Sequence, residues 1–397
     1  MFSNETLESL KKSSFIRAMF EEGTQLKKIH GEENVFDFSI GNPDMEPPEE
    51  VNQAIMEISS EKIKGIHKYM SNAGYDSTRQ AVSMSLMEDY GVHVPFGNVV
   101  MVCGAAAGMA VTLKSILNPG EEVLVFSPYF AEYLFYVKNA GGIPVPVPTH
   151  RKTFMPDLAL IEKAITPRTK AVIINSPNNP TGVIYPEEVL HSLAKVIGKK
   201  EKELGIHVFV LSDEPYTKLV FDGSVIPCVF DFFEKSVIIT SYSKTLALPG
   251  ERIGYIAVNP GFSQAKTLLS ALIFNNRTLG FVNAPAIAQR IIEKSIRAKV
   301  NLEEYRVRME TLYTHMISLG FRCKKPQGAF YLFVESPYED EMIFIEKAKK
   351  YNILVVPGRG FGLPGTFRMA FCIEMEAIQR ALPALTKLAG EIFGDHT

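Results

Sequence analysis

The chain has 397 residues, 46% of them apolar, with 42 Lys and Arg against 44 Asp and Glu. That length suffices for two domains of ordinary size or one large domain with a smaller appendage, and the apolar content predicts a packed core and excludes wholesale disorder. The formal charge of −2 excludes bulk attraction to nucleic acid or acidic membranes, so any anion must be held by locally placed groups.

The N-terminus, MFSNETLESLKK, is polar and lacks the apolar centre of a signal peptide. No apolar run approaches the roughly 20 residues of a membrane span. Cys103, Cys228, Cys323 and Cys372 are far apart and form no CxxC, which argues against a disulfide framework or a cysteine zinc site. A cytoplasmic chain without membrane contact is expected.

From about residue 99 to 260, β-branched runs alternate with amphipathic stretches. The runs are VVMVC (99–103), EVLVFS (122–127), IPVPV (143–147), AVIINS (171–176), HVFVLSD (207–213), SVIITSYS (236–243) and RIGYIAVN (252–259). Stretches such as PEEVLHSLAKVIGKKEKEL between them have helical spacing. This predicts an α/β fold, a mostly parallel seven-stranded sheet with helices on both faces. The last two runs are too close for a helical crossover, so one strand there is expected antiparallel. After about 285 a long helical stretch, GAFYLFVE, YNILVVP and FRMAFCI predict a smaller α+β domain. The expected division is 49–285 for the large domain, and 1–48 with 286–397 for the small one.

In open α/β sheets, ligands collect at the carboxyl ends of strands. The unusual residues of this chain follow those ends. CGAAAG (103–108) opens a helix with small residues and can bring backbone N–H groups to a phosphate; its bland alternative is a tight turn. Ser241, Ser243 and Arg252 could complete such a cradle, although an arginine alone reads as a surface ion pair. Asp213 ends an apolar strand, either as a helix cap or facing a cationic ring nitrogen. Asn179 reads by default as a turn residue, Tyr216 as packing and Phe130 as core, yet each stands at a strand end. Lys244, crowded at the end of an apolar strand near an arginine, should have a lowered amine pKa and could form a Schiff base.

SIGNPD (39–44), KYMSNAGY (68–75), GAAAGM (104–109), SPYF (127–130), NSPNNPTG (175–182), SDEPY (212–216), SYSKTLALPGERIGY (241–255) and FRMAF (367–371) together resemble the fold-type I, class I/II aminotransferases, the aspartate aminotransferase-like enzymes that use pyridoxal 5′-phosphate. The resemblance implies that Lys244 holds the cofactor's aldehyde and then shuttles the substrate proton. It implies that Asp213 pairs with the ring nitrogen, that Asn179 and Tyr216 bond the ring's 3-oxygen, and that Phe130, or less readily Tyr129, stacks on the ring. Backbone groups of Ala105 and Ala106, with Ser241 and Arg252, would hold the phosphate; the family often carries a hydroxyl residue where this chain has Ala105 or Ala106. Tyr69 would reach the phosphate of a neighbouring subunit, which implies a homodimer with shared sites. Arg368, helped by Asn179 and the backbone of Gly41, would clamp the substrate α-carboxylate.

A transaminase moving an amino group between an L-amino acid and a 2-oxo acid is therefore expected, with aspartate as donor and 2-oxoglutarate as acceptor. The donor rests on Arg277 as the distal-carboxylate arginine, with Arg359 as a rival and a surface role as the alternative. Alanine, aromatic or methionine donors, or a C–S lyase or synthase on the same scaffold, remain open alternatives. GFGLPG (360–365) matches a dinucleotide fingerprint, but Pro364 lies inside it and a strand follows instead of the required helix. There is no HExxH or histidine-pair spacing, and no metal is expected.

Overall fold

The structure is a computed structural model that describes residues 2–12, 14–61 and 64–394. In chain order its strands are β1 (Phe36–Asp37), β2 (Val99–Val102), β3 (Glu122–Ser127), β4 (Ile143–Pro148), β5 (Thr169–Asn175), β6 (Phe209–Asp213), β7 (Ser236–Ser241), β8 (Gly254–Val258), β9 (Tyr331–Glu335), β10 (Ile353–Leu354), β11 (Val356–Pro357) and β12 (Thr366–Ala370). Seven of them form one sheet in the order β2-β8-β7-β6-β5-β3-β4. All its neighbours pair parallel except at β8, which runs antiparallel to both β2 and β7. This is the predicted sheet, with the antiparallel strand where the short link requires one.

Alternation along the strands explains why both faces are covered. Met101, Leu124, Val172, Ile174 and Ile238 enter one apolar core, shared with helices Glu49–Ser60, Asp76–Tyr90 and Glu187–Leu204. Val100, Val123, Val125, Ile173, Leu211 and Ile239 enter the other, against Gly104–Ile116 and Ala265–Thr278. β4 carries Pro144, Pro146 and Pro148 and pairs on one side only, the edge position where absent N–H groups leave no ladder bond unmade. Among the described residues, no helix is long and apolar enough to cross a membrane.

A third core, built on Tyr305, Phe330, Phe344, Phe367 and Leu385, lies under the antiparallel β11-β12-β9 sheet. The N-terminal β1 pairs with β10, and the amide of Ala370 donates to the carbonyl of Phe38. The chain just before Gly41 is thus tied to the third core. The helix Ala286–Ser295, expected with the small domain, packs instead on Glu49–Ser60 through Ala288, Ile291 and Ile292. Core membership changes near Val300, which joins the third cluster.

Candidate active site

A cleft of about 710 Å³ opens at the carboxyl ends of the parallel strands. Its lining gathers Gly41, Ala105, Ala106, Phe130, Asn179, Asp213, Tyr216, Ser241, Lys244, Arg252 and Arg368 from parts of the sequence more than 300 residues apart. Ser243 is there too.

Lys244 stands on a single helical turn, Tyr242–Thr245, that follows β7; it is not on the strand itself. Its Nζ donates to the carbonyl of Gly41 at 2.6 Å. Burial, and more weakly the nearby guanidinium groups of Arg368 and Arg252, lower its pKa to about 8. Removal from water disfavours the ammonium, so the neutral, nucleophilic amine becomes accessible near neutral pH. Glycine at 41 is required by the Tyr331 ring packed against it: a Cβ there would lie 2.1 Å from the Tyr331 hydroxyl oxygen.

Asp213 closes β6 and is 8% exposed. Its Oδ2 accepts from the Tyr133 hydroxyl, and its backbone carbonyl accepts from Asn175 Nδ2 at 2.9 Å. Oδ1 is buried with no partner. Burial raises the carboxyl to about 6, with the Tyr133 hydrogen bond pulling against it. Asn175 also accepts the backbone N–H of Asn179 at 2.7 Å, which fixes the loop that leaves β5.

Arg368 projects from β12 and is 4% exposed. It donates to Asn179 Oδ1 at 3.0 Å and to the Ser39 carbonyl at 2.8 Å, and its guanidinium lies 4.3 Å from the Tyr331 ring centre. No carboxylate of the described residues pairs with it. A buried cation held only by neutral groups is suited to receive an anionic ligand.

The helix Gly104–Ile116 starts at the cleft, and Cys103 before it offers no side-chain cap. The first-turn N–H groups at Ala105 and Ala106 are therefore free to meet an anion. Arg252 has φ +51°, a left-handed conformation that costs a non-glycine residue about 1 kcal/mol or more. This bend returns the chain from Pro249, whose carbonyl Arg252 grips at 3.0 Å. Its Nη2 lies 2.8 Å from where a Cβ on Gly104 would be, so glycine at that position, with φ +82°, makes room for the guanidinium.

Tyr216 is buried, and its hydroxyl is 3.1 Å from that of Tyr331. Phe130 lines the cleft and meets Tyr133 edge-on, whereas Tyr129 packs away from it behind Phe361 and Gly362. Tyr133, Asn175 and Tyr331 are cleft residues that sequence reasoning missed. Three other expected residues do not line it. Arg359 is engaged by Asp340 and Glu341, which hold it out of the cleft. Arg277 is exposed and lies over its own helix neighbour Phe274 at 5.6 Å. Tyr69 is 91% exposed and lies with Met70, Phe281 and Val282 in a separate surface hollow.

A family signature described as "Aminotransferase class I and II" matches residues 33–385. A "Probable aspartate/prephenate aminotransferase" of Thermus aquaticus is 32% identical over 349 residues, 87% of this chain and 88% of that protein. Among solved structures, an amino transferase from Eubacterium rectale superposes with a TM-score of 0.94 at 37% identity, covering 99% of both chains. The aspartate aminotransferase of Thermus thermophilus with maleate superposes with a TM-score of 0.84 at 28% identity, covering 94% of this chain and 96% of that one. The signature spans the sheet, the cleft and most of the third core, and the chain belongs to the class I and II aminotransferases as an amino-acid transaminase.

Proposed function

We propose that this transaminase works through pyridoxal 5′-phosphate attached to Lys244, moving an amino group from an L-amino acid to a 2-oxo acid. The observation that carries this reading is the pairing, in one cleft, of a buried amine with its pKa near 8 and a buried carboxylate oxygen without a partner. The unpartnered Oδ1 of Asp213 suits a protonated ring nitrogen, and the uncapped helix start beside Arg252 suits a phosphate. Phe130 offers a stacking face, and Asn179 and Tyr216 offer donors for a ring oxygen.

When bound, the cofactor supplies an electron sink for the charge left at the substrate Cα. Asp213 keeps the proton on its partner nitrogen, because an ionised buried carboxylate is stable only beside a cation. Arg368 holds the substrate α-carboxylate, and its fixed position orients the Cα–H bond relative to Lys244. Lys244 Nζ accepts that proton and returns it to a neighbouring carbon as general base and acid. A β-elimination on the same residues is the second reading, and it would release ammonia and a 2-oxo acid where transamination leaves the amino group on the cofactor.

Tyr69, Phe274 and Leu279 leave exposed rings and apolar side chains outside the cleft. They support a homodimer in which Tyr69 and Arg277 would serve the site of a second copy. The reading also puts the enzyme in the cytoplasm, in keeping with four free cysteines. The purified protein should be yellow, and borohydride should bleach it and fix the chromophore on Lys244. An amino acid should convert the cofactor stoichiometrically to its pyridoxamine form. Release of ammonia from a thioether amino acid without that conversion would overturn the reading.

A further inference from the structure

Three cations face the cleft, and each is engaged or assigned. Lys244 contacts the Gly41 carbonyl, Arg252 the carbonyls of Pro249 and Cys103, and Arg368 Asn179 with the Ser39 carbonyl. One carboxyl group of the cleft has no place in the reaction described above. Glu132 lines it, half-buried, at the first position of the helix Glu132–Asn139. Burial raises its carboxyl above the ordinary value, and among the described residues no hydrogen bond or charged neighbour offsets this. It shares a helix face with Tyr136, four residues on, and its charge helps to raise that phenol. The surrounding wall is apolar and aromatic, formed by Met109, Phe130, Tyr133 and Tyr136.

An acidic residue in the first turn of a helix is common and favourable for the helix dipole. That role needs only an exposed carboxylate, and it does not require one that is half-buried and turned into the cleft. A donor with a second carboxylate would bring that group against the Glu132 carboxyl, which can offer it no countercharge. A mismatch of this kind discriminates between ligands as effectively as attraction.

We infer that Glu132 is a specificity-determining residue, disfavouring a dicarboxylic donor and favouring an amino acid whose side chain ends in an N–H donor, cationic or amide. The inference rests on the transamination proposed above. Its occupant would lay its methylene groups on the aromatic wall and present the terminal nitrogen to the Glu132 carboxylate.

The experiment compares single-turnover kcat/KM for L-lysine, L-glutamine and L-aspartate in the holoenzyme and in E132Q. Wild type should favour lysine and glutamine over aspartate, and E132Q should move that ratio toward aspartate by tenfold or more, on the order of what one misplaced polar group discriminates. Equal slowing of all three donors in E132Q would reduce Glu132 to a helix-start residue and overturn the inference. A wild type that prefers aspartate, with the preference lost in E132Q, would overturn it in favour of a carboxylate that positions a cation from a second copy. Where E132Q fails to fold, E132D should shift the ratio in the same direction but less, and an unchanged ratio there would count against the inference. If no amino acid converts the cofactor at all, the transamination reading falls and this inference with it.

Discussion

Tyr133 donates its hydroxyl hydrogen to Oδ2 of Asp213, and Oδ1 of the same carboxylate is left buried without a partner. One oxygen is thus anchored by the protein and the other is presented to the cleft. The anchor comes from the helix after β3 and the acid from the end of β6, so the pair fixes the carboxylate from two strand ends that flank β5. Asp213→Asn should keep the fold and bind the cofactor, yet lower the amino-acid half-reaction by about 100-fold or more, the scale of losing a charge that stabilises the transition state. Stopped-flow loss of the aldehyde-form absorbance measures this, and a rate within tenfold of wild type would count against the role.

The same carboxylate makes a prediction for the apoprotein. Its folded pKa, about 6, exceeds the ordinary value of 3.8. The folded state therefore binds this proton more tightly than the unfolded state. Its contribution is full below pH 4 and is lost as pH rises from about 4 to 6, by roughly 3 kcal/mol at most. Thermal melts of apoprotein across that window should show wild type falling relative to Asp213→Asn, and cofactor binding should abolish the difference.

Lys244 titrates in the other sense. With its pKa lowered to about 8, the neutral amine is a minority at pH 7 and a majority at pH 9. Capture of the free aldehyde by apoprotein, trapped with borohydride, should therefore rise through pH 7–8 and level off above about 8.5. Lys244→Ala should bind cofactor without covalent capture and lose the proton transfer by several orders of magnitude.

Much of this organisation was legible in the chain. The sheet could be read because its buried strands are continuous β-branched runs, and the antiparallel β8 followed from a link too short for a helix. The residues at strand ends were legible because Asp213, Lys244 and Asn179 break the apolar pattern around them. Tyr133, Asn175 and Tyr331 were not, because an aromatic on an amphipathic helix, an asparagine closing a strand before a turn and a tyrosine in an apolar strand all match their local pattern. Only the fold turns them toward Asp213, Asn179 and Tyr216. Arg359 misled for the opposite reason: Asp340 and Glu341, in a different part of the sequence, neutralise it before it can meet a substrate.

Arg368 should behave unlike an arginine in an ion pair. Its guanidinium has neutral partners and aromatic faces, so Arg368→Gln leaves no acidic side chain uncompensated in the described structure. We expect kcat/KM for amino acids to fall by about 100-fold or more, the scale of losing a charged contact in a desolvated site, while the apoprotein melting temperature stays level or rises. A matched loss of stability and activity would mark the residue as structural.

Gly104→Ala tests the phosphate cradle without replacing a charged residue. The added methyl meets Arg252 Nη2 at 2.8 Å and must occupy a residue with φ +82°. The side chain of Arg252 is flexible and half free, so the clash is relieved by moving the guanidinium away from the helix start. The backbone strain costs about 1 kcal/mol, but the displaced guanidinium bears on the anion. Cofactor affinity should fall by about tenfold, the equivalent of one weakened charge-assisted hydrogen bond, with inorganic phosphate weakening as a competitor in parallel. Equilibrium dialysis of apoprotein reads both constants. Unchanged affinity for both would show that the phosphate does not sit between the helix start and Arg252.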